Sequence, residues 1–186
     1  SLTLSRETIL RAADMGKKHN AGFHIHVAED MADVSDSLKR FGKRVVPRLR
    51  DSGILNEKSI AAHCVHVDRP ELGILKENGV NAVHNPESNM NNAVGAAPVE
   101  EMLGTGICVG LGTDGYTFDM FRESKVAYIL HKHAAKDPRA MPGDMVWRML
   151  VENNSAIASR LFGRPVGQIA KGSAADIILL DYRPPT

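Results

Sequence analysis

Residues 58–85, KSIAAHCVHVDRPELGILKENGVNAVHN, decide the fold. Lys58 to Val65 is an apolar run of strand length, and Pro70 to Asn78 reads as a helix stopped at Gly79. Val80 to Val83 is a second strand, ending at His84-Asn85. A strand, a helix and a strand at this spacing form a right-handed crossover between parallel neighbours.

The same alternation extends in both directions. Ser5 is an N-cap for a helix whose apolar positions Ile9, Ala12, Ala13 and Met15 recur until His19-Asn20-Ala21-Gly22. Phe23 to Ala28 follows as a buried strand, then helical Asp33 to Phe41 and Lys43 to Asp51. Beyond residue 85, Pro98 to Leu103 reads as a helix, Ile107 to Leu111 as a strand, and Phe118 to Ala135 and Gly143 to Phe162 as long helices. Ala175 to Asp181 is strand-like behind a Gly-rich turn. Strands alternating with helices make an α/β chain with a parallel sheet covered by helices.

A doubly wound sheet and a (β/α)8 barrel both use this pattern. The polar residues favour the barrel: His24, His26 and Glu29, then His63 and His66, His84 and Asn85, and Thr113 and Asp114 all fall at or just past strand C-termini. Barrel enzymes place their chemistry there. A barrel takes eight strands and about 250 residues, so four strands amount to a C-terminal half. The chain opens on a helix signal without a starting Met, and the expectation is that upstream sequence precedes it.

Composition narrows the partners. Of 186 residues, 43% are hydrophobic and 24% charged, as in an ordinary folded chain. A net charge of +1 provides no field of one sign for nucleic acid or an anionic membrane, so a small-molecule partner is expected. No apolar run approaches the roughly 20 residues of a membrane helix. Cys64 and Cys108 lie in separate apolar runs and read as reduced thiols, which places the chain in the cytoplasm. The basic run from Lys39 through Arg44, with Arg48 and Arg50, reads as a solvated helix face.

The strand ends also carry chemistry. Glu29 lies three residues beyond His26, so a ligand and a proton carrier can share one site. His63 closes the next strand, and Asp114 sits between Gly112 and Gly115, which permit a sharp turn close to a ligand. Imidazole and carboxylate from separate strands suit a divalent metal, Zn or Fe, with an open position. Such a metal lowers the pKa of water to about 7. Each residue has a plainer reading: a structural histidine, or for Asp114 a cap on the helix near Phe118. His24 shares the face of His26 but is read as lying deeper, in the core or behind the site. His19, His131 and His133 are read as solvated.

Taken in order, His26-Val-Ala-Glu29, Ala-Ala-His63-Cys-Val-His, His84-Asn85-Pro-Glu-Ser88-Asn89 and Leu-Gly-Thr113-Asp114-Gly115 resemble the second half of the barrel in the amidohydrolase superfamily. The likeness is to the branch holding guanine and cytosine deaminases and chlorohydrolases. It implies that His26 and Asp114 are metal ligands, that Asp114 takes a proton from water and that Glu29 shuttles it to a ring nitrogen. His63 would orient the nucleophile or polarise the substrate. His84, Asn85 and Asn89 would line the pocket or brace the site; their alternative is a polar turn. Residues 1–165 would be the half-barrel and 166–186 a return into a small β-sandwich domain. The reaction implied is metal-dependent hydrolysis of a C–N bond in a heterocycle, with displacement of another leaving group as the close alternative. A rival class is a non-catalytic half-barrel serving assembly. Two features depart from the pattern: the first-strand His-x-His is absent, and Met90-Asn91-Asn92 stands where many relatives have Leu-Lys-Leu. The residues present are therefore expected to be inactive alone, and open sheet edges to drive homo-oligomerisation.

Overall fold

The structure, a computed structural model, describes residues 2–181 and residue 183. Local side chains set where the helices begin. Ser5 Oγ accepts from the Thr8 N–H at 3.1 Å and opens α1 (Arg6–Lys18). Asp30 caps α2 (Met31–Phe41) through the Ala32 N–H, and Gly42 closes it with a left-handed φ of 65°. After α3 (Val45–Asp51), α4 (Arg69–Glu77) starts on a reciprocal box in which the Asp68 and Glu71 carboxylates each accept the other's backbone N–H. Each such cap contributes about 1 kcal/mol.

Four strands, β1 (His24–Val27), β2 (Ile60–His63), β3 (Asn81–His84) and β4 (Val109–Leu111), form one parallel sheet in the order β1-β2-β3-β4. They are shorter than the apolar runs that announce them. A doubly wound sheet would reverse its order at a switch point, whereas consecutive order with right-handed crossovers keeps the connecting helices on one face. Ile25, Ala61, Ala82 and Val109 are aligned across the sheet and meet Leu49, Leu72, Leu75 and Met102 in the core. The opposite row runs His26, Ala62, Val83 and Gly110. His24, expected deeper, is exposed with His26.

The later part differs more from expectation. Asn89, for which a polar turn is the alternative reading, lies in a short helix α5 (Pro86–Asn91), and α6 (Val99–Gly104) follows. Asp119, rather than Asp114, caps α7 (Met120–Ala135), accepting from the Phe121 and Arg122 N–H groups. The single helix predicted over 143–162 is α8 (Gly143–Trp147), a π-helical segment Arg148–Asn153, and α9 (Asn154–Phe162). The π segment brings two amides to β4. Asn153 donates to Val109 O at 2.7 Å, while Asn154 donates to Leu111 O and accepts from Leu111 N. One edge expected to be open is thus covered by side chains. Ala175 to Asp181 forms no strand among the described residues, and Leu179 is 97% exposed. Both cysteines are free, Cys64 buried and Cys108 half-buried. The basic run is not uniformly solvated either, since Arg48 is buried against the Phe41 ring at 4.6 Å.

Candidate metal centre

The C-terminal ends of three strands converge. In register, His63 stands opposite Val27, a core residue, so a regular strand would send both to the same side. His63 instead has a φ of 70°, and its ring meets that of His26 edge to face, centroids 4.7 Å apart. Asp114 follows β4 with a φ of 53°, and Ala28 and Cys64 are also left-handed. Such positions cost about 1–3 kcal/mol each for residues other than glycine and persist where the surroundings enforce them. Gly112 is required for a reason the sequence does not reveal: a Cβ there would meet Asn85 Oδ1 at 2.4 Å and Val83 Cγ1 at 2.5 Å. Gly115 has open space around it.

Donor atoms of His26, His63 and Asp114 all lie within 4.8 Å of one another. Glu29 belongs to the same cluster, its Oε2 lying 3.5 Å from His26 Nδ1 and 3.7 Å from His63 Nε2. His63 Nε2 is also 3.7 Å from Asp114 Oδ2. On its far side, His63 Nδ1 donates to Asn89 Oδ1 at 2.8 Å. That bond keeps the proton on Nδ1 and leaves Nε2 with a bare lone pair, buried and without a hydrogen-bond partner. A buried imidazole nitrogen aimed at two carboxylates fits a cation. Asp114 adds a charge held below the usual carboxylate range, first by the Ser88 hydroxyl donating at 2.7 Å, then by the Gly115 N–H and the two imidazoles, with partial burial opposing. His24 beside them is pushed down by burial, then by His26 and His63. A cavity of about 200 Å³ opens at His26 and Glu29. A larger one of about 320 Å³, lined by Arg6, Arg40 and Lys43 among others, contains none of these residues.

The residues expected to line the pocket separate. Asn89 touches His63. Asn85 is 4% exposed and packs on Gly112. His84 is fully buried, its Nε2 3.1 Å from that of His131. Burial holds both histidines below the ordinary imidazole value, His84 most strongly because His131 and His63 add to it, whereas Glu100 opposes the shift at His131. His131, read as solvated, is therefore part of the wall behind the site. Ser88 and Asn92 were also missed; Asn92 donates from Nδ2 to Glu29 Oε1 at 3.1 Å.

The sequence profile of the amidohydrolase family matches residues 1–186. The chain is 41% identical to a 5-methylthioadenosine/S-adenosylhomocysteine deaminase of Syntrophobacter fumaroxidans, over 98% of this chain and 42% of that protein. It is 37% identical to a 5'-deoxyadenosine deaminase of Methanosarcina mazei, with the same coverage. A solved adenosine deaminase from Xanthomonas campestris with bound zinc superposes with a TM-score of 0.83 and 29% identity, over 94% of this chain and 40% of that one. The chain thus spans about two fifths of the length of these relatives.

Proposed function

The chain belongs to the amidohydrolase family, and from that membership we propose that the enzyme built on it hydrolytically removes the exocyclic amino group of a purine nucleoside, with a 5'-substituted adenosine as the substrate class. Water replaces the amino group at the ring carbon, and ammonia leaves. The observation that carries this is the convergence of His26, His63 and Asp114 donors within 4.8 Å, with Glu29 alongside. The adenosine class rests on the relatives at 37–41% identity.

His26 and Asp114 would hold one divalent metal ion, Zn or Fe, with His63 Nε2 facing the same position. When bound, such an ion supplies a nucleophile at neutral pH and polarises the reacting carbon's substituents. Asp114, kept ionised, accepts the proton released by the attacking water. Glu29, with one oxygen turned to the imidazoles, carries that proton to a ring nitrogen, and the second proton of the water, released as the new C–O bond becomes a carbonyl, goes to the departing amine. His63 orients the nucleophile. We assign His84, Asn85 and Asn89 to bracing the site from behind. Residues 1–165 are assigned to the second half of a barrel, supported by the consecutive strand order, and 166–186 to a return toward a small β-sandwich. The two free thiols support a cytoplasmic protein, and the exposed Phe118, Phe121, Ile129 and Trp147 support self-association. No helix among the described residues is long and apolar enough to cross a membrane.

The test is to purify the full-length gene product, measure metal per chain, and follow ammonia release from adenosine, 5'-deoxyadenosine, 5-methylthioadenosine and a chlorinated purine. Deamination of an adenosine by a metal-bearing protein is the expected result. A metal-free protein inert to all four would sink the assignment, and chloride release alone would shift it to the other leaving group.

A further inference from the structure

The site residues stand on β1, β2 and β4, yet each of three has a hydrogen-bond partner on or at the end of the six-residue helix that follows β3. Ser88 Oγ donates to Asp114 Oδ2 at 2.7 Å, Asn89 Oδ1 accepts from His63 Nδ1 at 2.8 Å, and Asn92 Nδ2 donates to Glu29 Oε1 at 3.1 Å. Residues 88, 89 and 92 are spaced i, i+1 and i+4, so they share one side of a helical turn. We propose that α5, with Asn92 at its C-terminal cap, is the positioning element of the site, and that Asn92 aims the Glu29 carboxylate. The inference rests on the roles assigned above to Asp114 and Glu29.

The arrangement divides each target between an anchored atom and a working one. Glu29 Oε1 is tied to Asn92, while Oε2 faces His26 and His63. His63 Nδ1 is tied to Asn89, while Nε2 faces the cluster. A carboxylate fixed at one oxygen loses the rotation that would carry the other away from its substrate, and such second contacts are what pre-orient a catalytic group. The helix is itself held. The Glu87 N–H in its first turn donates to Glu123 Oε2, Arg122 pairs with Glu87, and Glu123 is fully buried. Asn85, just before it, fills the space left by Gly112. A displacement of α5 would therefore move three site side chains together. Asn92 lies within Met90-Asn91-Asn92, where the sequence departs from its resemblance, so this tether belongs to this chain's own residues.

Because Asn92 is exposed, its substitution leaves the core intact. In the full-length, metal-loaded enzyme, Asn92→Ala should lower kcat about tenfold with KM within about twofold, the scale of losing a hydrogen bond to a charged group. Metal content and Tm should not change. Asn92→Asp, isosteric but with no donor and a like charge toward Glu29, should be worse than Ala; a packing role would make it milder. In a Glu29→Gln background, Asn92→Ala should cost less than about twofold. At the other end of the helix, Ser88→Ala should weaken metal affinity by about tenfold, read by competition with a chelator rather than by turnover. Equal costs of Asn92→Ala in both backgrounds, an Asp variant better than Ala, or unchanged metal affinity in Ser88→Ala would each overturn the positioning role. A Glu29→Gln enzyme with full activity would instead remove the role of Glu29 and, with it, the basis of this inference.

Discussion

The sharpest consequences belong to single side chains. Asp114→Asn keeps the shape but removes the charge of the carboxylate assigned above as metal donor and proton acceptor, so turnover should fall below detection while Tm is retained; near-normal activity would refute the assignment. Glu29→Gln should keep metal per chain and lose about 100-fold or more in kcat, the range for a positioned proton carrier. Metal loss parallel to rate loss would make Glu29 a ligand instead. The Cys64 thiol is pushed up to about 12, first by burial and then by Glu71, so it should resist alkylation in the folded protein and react, with Cys108, after denaturation. A single reactive thiol in the unfolded chain would contradict this. The clustering of His26, Glu29, His63 and Asp114 was legible because they fall at strand ends, where a sequence can be read without contacts. His131 was not, since its partner His84 is 47 residues away and the helix around it has exposed and polar neighbours.

At the scale of elements, buried polar contacts bind one helix to the next. Glu71, 1% exposed, accepts from Arg44, from the Val46 N–H and from the Asp68 N–H, joining α3 to α4. Glu71→Ala should cost about 2 kcal/mol or more in urea unfolding, because it leaves the Val46 and Asp68 N–H groups without their acceptor, while Arg44 keeps Asp68 and the His66 carbonyl; a loss under 1 kcal/mol would mean that water replaces the carboxylate. The His84–His131 contact ties β3 to α7. Both imidazoles titrate below their ordinary value in the folded chain, chiefly through burial, so below about pH 6.5 the unfolded chain binds more protons than the folded one. Stability is then full above that pH and declines on acidification, and Tm should fall less between pH 7 and 5 in His131→Gln than in the wild type. Parallel slopes would show that the pair does not govern acid stability. Strand and helix positions up to β4 were largely readable from apolar runs and glycines, but of the side-chain caps only Ser5 was, since Asp30, Asp68 and Asp119 look in sequence like any other loop carboxylate. The π segment was not, because an extra residue in a helical turn leaves the apolar periodicity almost unchanged, and α5 is too short and polar to show a period at all.

For the whole molecule, the consecutive parallel order was legible, since strand-helix alternation admits few topologies. The exposure of Ile177 to Leu180 was not, because an apolar run reads the same in sequence whether or not it finds a partner strand. The 186 residues expressed alone should show no deaminase activity with added Zn or Fe and should self-associate in light scattering, through the exposed aromatic residues and the uncovered face and edge at β1. A monodisperse, active monomer would contradict both. The strand order has one further consequence, on the ribosome. Each strand pairs with the one made just before it, so the sheet can grow as the chain emerges, but Asp114 follows His26 by on the order of ten seconds of synthesis. During that interval the nascent chain presents an incomplete donor set, so metal capture should trail the first three strands rather than nucleate them.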